Sequence, residues 1–115
     1  MTIDEVLASE IVRLAHSIWR ELLSALHPDG NLLGQAIKAV TSIALNFGEA
    51  GGHRSAGMVG SKLNIARGES YEVAVACHFL EVAASDARRL AMMVDAYRPP
   101  VDASLEHPAE LKAVP

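Results

Sequence analysis

Near the start of the chain, an apolar side chain recurs at every third or fourth position, and this period constrains the fold more than any other feature. The main row consists of Ile3, Leu7, Ile11, Leu14, Ile18, Leu22 and Leu26. A second row beside it consists of Val6, Val12, Trp19 and Leu23. Spacings of three and four residues place side chains on one face of an α-helix. The two rows therefore predict a long first helix whose wide apolar face is buried against two neighbouring helices.

The end of helix 1 and both ends of helix 2 are predicted from residues that favour turns and helix termini. Pro28 disfavours helical geometry at His27, and Asp29-Gly30 favours a turn, so helix 1 should stop there. Asn31 is the predicted N-cap of helix 2. Gly51-Gly52 should end helix 2, because glycine tolerates the left-handed backbone that follows a helix.

Helix 3 is predicted to begin at Ser55, a good N-cap, and to carry a heptad-like apolar seam. The seam consists of Val59, Leu63, Ala66, Ser70, Val73, Cys77 and Leu80. Ser85 or Asp86 can cap a short fourth helix, which we expect because a single helix over 55–97 would extend roughly 65 Å. The predicted buried side of helix 4 consists of Ala87, Leu90, Ala91, Val94 and Tyr97.

Four helices with short connections predict an all-α fold, an antiparallel up-down-up-down four-helix bundle with a short fourth helix. At 115 residues the chain has room for one domain. We assign residues 1–97 to the bundle. We expect residues 98–115 to form a flexible tail, because Pro99-Pro100 should end the ordered region.

Composition and charge restrict the classes of function. Half of the residues are hydrophobic and only 4% are aromatic, so a small bundle should bury its excess apolar surface in an oligomer. The net charge of −4 argues against a protein that holds nucleic acid through bulk positive charge. No apolar run reaches the roughly 18 residues of a membrane span, and no basic, apolar leader is visible. We therefore expect a cytoplasmic protein that does not enter a membrane.

The sequence contains no complete set of catalytic or metal-binding residues. It lacks a P-loop, a Gly-x-Ser-x-Gly elbow and the Glu-x-x-His pairs that di-iron bundles use. The single cysteine, Cys77, falls in the apolar seam of helix 3, where it should pack as a small core residue, and it excludes an internal disulfide. We expect no enzyme activity, no cofactor and no metal site.

Polar residues gather where helix 2 ends and helix 3 begins. Asn46 and Glu49 are three positions apart and share a face of helix 2. Arg54 follows the glycine turn and can fold back towards Glu49, while Glu72 lies farther along helix 3. These residues form either a hydrogen-bonded network that fixes the corner between the two helices, which we favour, or a polar binding site.

Residues 42–80 resemble a family of bacterial four helix bundle proteins first noticed as reading frames in intervening sequences of 23S ribosomal RNA genes. The first block of the family motif is matched by Ser42, Ile43, Asn46, Glu49, Gly52, Arg54 and Ser55. The second block is matched by Leu63, Ile65, Ala66, Gly68 and Glu72. The chain departs from the pattern at Ala50, where glycine is usual, and at Met58, where an acid would complete a capping box. Arg54 also lies one place after the most regular arginine of the family, a position that His53 occupies here.

The resemblance implies a cytoplasmic homo-oligomer, with the pentamer as the best-known form, and no established enzyme activity. It also implies a structural or binding role for the polar corner, Ser42, Asn46, Glu49, Arg54, Ser55 and Glu72. We predict a structural or adaptor protein that binds itself and a protein partner. The alternative is a nucleic-acid-binding accessory module, since retroelement relatives of the family contact nucleic acid. Its candidate contacts are Arg54, Lys62 and Arg67, but those relatives are strongly basic and this chain is not.

Overall fold

The architecture is that of four packed helices. A computed structural model describes residues 3–52 and 56–98, and it describes side chains at 6–47 and 60–98. The helices are α1 (Ile3–Ser24), α2 (Gly30–Gly52), α3 (Ala56–Leu80) and α4 (Ala84–Ala96), and the described residues form no strand. Both α1 and α3 pack against α2 and α4, so the order around the bundle is α1, α2, α3, α4. The predicted all-α class and the short fourth helix are confirmed.

One cluster of buried apolar side chains forms the core, and all four helices contribute to it. Its largest fully buried members include Ile11, Ile18, Leu22, Val40, Ile43, Val73, Leu90 and Val94. Full burial of such a side chain stabilises the fold by roughly 1.5–3 kcal/mol. Within the described side chains, the predicted seam of helix 3 and the predicted buried side of helix 4 are buried, which confirms both.

The second apolar row of α1 is not buried, contrary to the prediction. Val6, Val12 and Leu23 are 44%, 40% and 53% exposed, and Trp19 alone of this row packs against the core. Leu26, predicted in the main row, is fully exposed because α1 already ends at Ser24. The main row already supplies the buried contacts of α1 with α2 and α4, so most of the second row stays at the surface.

The start of α2 differs from the predicted one by its cap. Asp29, not Asn31, is the N-cap, because the Leu32 amide donates a hydrogen bond to Asp29 Oδ1 at 2.9 Å. The helix accordingly begins at Gly30. The predicted cap of helix 3, Ser55, lies outside the described residues.

The predicted break between helices 3 and 4 is confirmed, but the residue that caps helix 4 is not one of those predicted. Neither Ser85 nor Asp86 caps α4. Its N-cap is Ala83, which has a left-handed backbone with φ of 51° and makes no side-chain cap hydrogen bond. Glu81 is also left-handed, with φ of 56°, so two non-glycine residues make the reversal between α3 and α4.

Two further predictions concern the ends of the chain and membranes. The described residues end at Arg98, so the predicted tail, apart from that residue, lies outside them. None of the helices in 3–52 and 56–98 is both long enough and apolar enough to cross a membrane.

Candidate functional site

A polar cluster lies between α2 and α3 and consists of Ser42, Asn46 and Glu69. Ser42 Oγ donates a hydrogen bond to Glu69 Oε1 at 2.7 Å. Asn46 Nδ2 donates to Ser42 Oγ at 3.1 Å and to the Ser42 carbonyl oxygen at 3.0 Å. Asn46 is buried, whereas Ser42 and Glu69 are half-buried. The serine hydroxyl thus accepts one hydrogen bond and donates another, which connects the two helices.

Two of the six residues predicted for the polar corner, Ser42 and Asn46, meet in this cluster. Glu72, the acid predicted on helix 3, is exposed and lies in a polar groove beside the cluster. The side chain of Glu49, and all of Arg54 and Ser55, lie outside the described part of the chain.

Glu69 is the member that sequence reasoning missed. Glu69 and Glu72 are three residues apart on α3, so they lie on the same side of that helix. Both line the polar groove between α2 and α3. Periodicity alone cannot choose between two acids on one flank. The choice depends on which of them reaches Ser42, and the packing of α2 against α3 decides that.

The cluster has the properties of a structural network rather than a reactive centre. The Ser42 hydroxyl both donates and accepts a hydrogen bond. In the described part of the chain, no buried side-chain nitrogen or oxygen lacks a hydrogen-bond partner. In the same part of the chain, no three His, Cys, Asp or Glu side chains lie close enough together to hold a metal ion. We infer that the cluster holds α2 and α3 in register.

Arg67, one of the candidate nucleic-acid contacts, is engaged within the bundle. Its Nη2 donates to the Tyr97 carbonyl oxygen at 3.2 Å, and its Nη1 donates to Asn64 Oδ1 at 3.1 Å. Carbonyl groups at the end of a helix lack intrahelical donors. Just after α4, the Tyr97 carbonyl group is satisfied by Arg67 and also by Arg98, whose Nη1 donates to it at 2.8 Å. Lys62 is half-buried on α3, and Arg54 lies outside the described residues.

α3 carries apolar side chains on its outward face as well as on its buried face. Tyr71, Val75 and Phe79 follow at four-residue spacing and are 55%, 57% and 70% exposed. We call these three residues the α3 ridge. Exposed apolar side chains scattered singly are ordinary, but a contiguous row marks an interaction surface. The ridge is therefore the first candidate interface of this protein.

An open apolar groove of about 390 Å³ lies between α1 and α2. We call it the α1–α2 groove, and it is lined by Val12, Ala15, His16, Trp19, Val40, Thr41, Ala44 and Leu45. The His16 ring stacks on Trp19, with the ring centroids 5.6 Å apart. Leu45 is 62% exposed at its edge. The described side chains that line it include no Asp, Glu, Lys or Arg, so the groove suits an apolar partner.

Arginines lie mainly on the outer faces of α1 and α4. Among the described side chains, the exposed arginines are Arg13 and Arg20 on α1, Arg88 and Arg89 on α4, and Arg98 just after α4. The apolar surfaces, in contrast, lie on the outward face of α3 and between α1 and α2. This segregation leaves the ridge and the groove as the surfaces on which contact with water is least favourable.

Cys77 is fully buried in the core, which confirms its predicted structural role. Burial raises the pKa of its thiol from 9.0 to about 11, and the negative charge of Glu21 adds to the effect. The thiolate is the nucleophilic form of cysteine, so this thiol is a poor nucleophile near neutral pH.

No protein-family model matches the chain. No curated protein and no solved structure is significantly similar to it.

Proposed function

We propose that this chain is a non-enzymatic helical bundle that associates with copies of itself and acts as a structural or adaptor protein. The observation that carries the proposal is the α3 ridge, in which Tyr71, Val75 and Phe79 are all more than half exposed. Removing apolar surface from water contributes about 25 cal/mol per Å². Aromatic residues are also enriched in protein interfaces.

We further infer that the helices alternate in direction, as an up-down-up-down bundle requires. The short connections at 25–29 and 81–83 support this arrangement. The rings of Phe47, near the end of α2, and Tyr97, just after α4, have centroids 4.9 Å apart. This contact supports a shared end for α2 and α4, as expected when the two helices run in the same direction.

The motif resemblance supports the finer parts of the proposal. On that basis we propose a pentamer in the bacterial cytoplasm, with a second protein as the partner of the adaptor. A nucleic-acid-binding module is the alternative that the resemblance also suggests. The net charge of −4 and the engagement of Arg67 with Asn64 and Tyr97 disfavour it.

Light scattering coupled to size-exclusion chromatography tests self-association. At micromolar concentration we expect a mass several times the 12.2 kDa of the chain. The double variant Val75→Glu, Phe79→Glu should lower this mass, because association would bury unpaired charges. Met92→Glu is the matched control, since Met92 is 73% exposed on α4, away from the ridge. A wild-type chain that is monomeric throughout this concentration range would refute the proposal.

A further inference from the structure

We infer that the α3 ridge of one copy docks in the α1–α2 groove of a second copy, so that the contact between subunits joins two different surfaces. This inference rests on the proposed self-association and assigns the surfaces that make it. The ridge and the groove lie on different sides of α2, and each subunit offers one of each.

The two surfaces are different, and this difference decides how copies of the chain can pair: the ridge residues lie beside α2 at its contact with α3, whereas the groove lies between α1 and α2. A two-fold symmetric dimer pairs one surface with its own copy. If two ridges paired, the groove and its exposed Leu45 would remain in water; if two grooves paired, the ridge would remain there. A ridge that enters a groove covers both surfaces with a single kind of contact.

The dimensions also correspond. From Tyr71 to Phe79 the ridge covers eight residue steps, or about 12 Å of helix. The α1 wall of the groove runs from Val12 to Trp19, seven steps or about 10 Å. Helices that bind in grooves place apolar anchors at such spacings along one face. The groove volume of about 390 Å³ is large enough to accept aromatic side chains of the ridge.

A charge of opposite sign lies beside each surface. Arg20 is exposed and follows His16 of the groove by four residues, so this cation lies beside the groove. Glu72 is the exposed acid beside the ridge. Ridge-to-groove docking brings these opposite charges towards each other. Pairing of two ridges would instead bring two copies of Glu72 together, which is unfavourable.

The exposed apolar side chain of α4, Met92, does not form a comparable ridge. Met92 is 73% exposed on α4, but Arg88, Arg89 and Asp95 surround it in the helix. Insertion of this helix face into the groove would bury charged groups against an uncharged lining. Of these two helix faces, the α3 ridge is therefore the better occupant of the groove. A contact between unlike surfaces continues from copy to copy until a ring closes or a filament forms.

Two variants with complementary defects test the inference. Phe79→Glu disables the ridge and leaves the groove intact, whereas Leu45→Glu disables the groove and leaves the ridge intact. Each variant alone should be monomeric by light scattering. An equimolar mixture should form a dimer of twice 12.2 kDa and nothing larger, because the dimer retains only its two disabled surfaces. Met92→Glu should assemble as the wild type does.

The outcomes separate this inference from the proposed function. A monomeric wild-type chain refutes self-association itself. An oligomeric wild-type chain combined with a Leu45→Glu variant of unchanged mass, or with a mixture that stays monomeric, overturns only the ridge-to-groove contact. Circular dichroism checks that each variant is folded. If Phe79→Glu or Leu45→Glu is not, Val75→Glu and Val12→Glu replace them in the same mixing experiment.

Discussion

Ser42 on α2 and Glu69 on α3 are joined by a hydrogen bond of 2.7 Å from the serine Oγ to the glutamate Oε1. Asn46 supports this bond from the next turn of α2, because its amide donates to the same Ser42 oxygen. The Glu69 carboxylate is half-buried, so the hydrogen bond from the Ser42 hydroxyl replaces one that water would otherwise make. The cluster therefore links the two helices through polar groups beside their apolar contact.

Ser42→Ala should lower the free energy of unfolding by about 1–3 kcal/mol, because the half-buried Glu69 carboxylate loses its donor and Asn46 loses an acceptor. Urea denaturation at fixed protein concentration measures the change. Ser17→Ala is the matched control, since Ser17 is an exposed serine within α1. Equal effects of the two substitutions would show that the cluster contributes nothing to stability.

Arg67→Ala should lower the free energy of unfolding by about 0.5–1.5 kcal/mol, because its hydrogen bonds to Asn64 and to the Tyr97 carbonyl group are lost while Arg98 Nη1 still donates to that carbonyl group at 2.8 Å. Arg88→Ala, at an exposed position of α4, should change it by less than about 0.5 kcal/mol. Thermal and urea unfolding of both variants provide the comparison. A smaller loss at Arg67 than at Arg88 would contradict a structural role for Arg67.

Ala83→Gly should stabilise the protein by about 0.5–1 kcal/mol, because a left-handed backbone costs roughly 1–2 kcal/mol for a residue with a Cβ. The gain is less than the full cost, since glycine also makes the unfolded chain more flexible. Ala96→Gly, at a right-handed position at the end of α4, should not stabilise. A melting temperature that falls in Ala83→Gly would contradict the predicted relief of strain.

Cys77 should make stability depend on pH in the alkaline range. Its folded pKa, about 11, lies above the ordinary value of 9.0, so the folded state holds the thiol proton more tightly. This contribution is fully present below pH 9.0 and is lost as the pH rises towards 11. The difference in unfolding free energy between the wild type and Cys77→Ala, measured across that window, should shrink. A difference that is constant with pH would contradict the shifted pKa.

Binding to generic RNA or duplex DNA should be weak or absent near physiological salt, because the chain has a net charge of −4. Fluorescence anisotropy over a salt series measures it. The decisive opposite result is tight binding that weakens with salt and disappears in a triple alanine variant of Arg54, Lys62 and Arg67. That variant must be folded by circular dichroism, since Arg67 also supports α4. Such a result would favour the nucleic-acid module over the adaptor.

The helices and their buried faces could be predicted because the signal is local. A side chain at a spacing of three or four residues lies on the same face of a helix whatever its neighbours are. Leu63, Val73 and Leu80 of α3, and Leu90 and Val94 of α4, were placed correctly by this rule. The candidate site was predicted only in part, because Ser42 and Asn46 belong to one helix whereas their partner lies on another.

Periodicity in the sequence alone thus determined the all-helical class and the core-facing residues. The tertiary structure decided that Glu69 rather than Glu72 reaches Ser42, and that Ala83 rather than Ser85 is the N-cap of α4. It also left the second apolar row of α1 at the surface. The reason is that helix periodicity specifies only the direction in which a side chain points from the axis of its own helix. Which residue that side chain contacts, and how deeply it is buried, depend on the distance and the rotation at which the neighbouring helix packs.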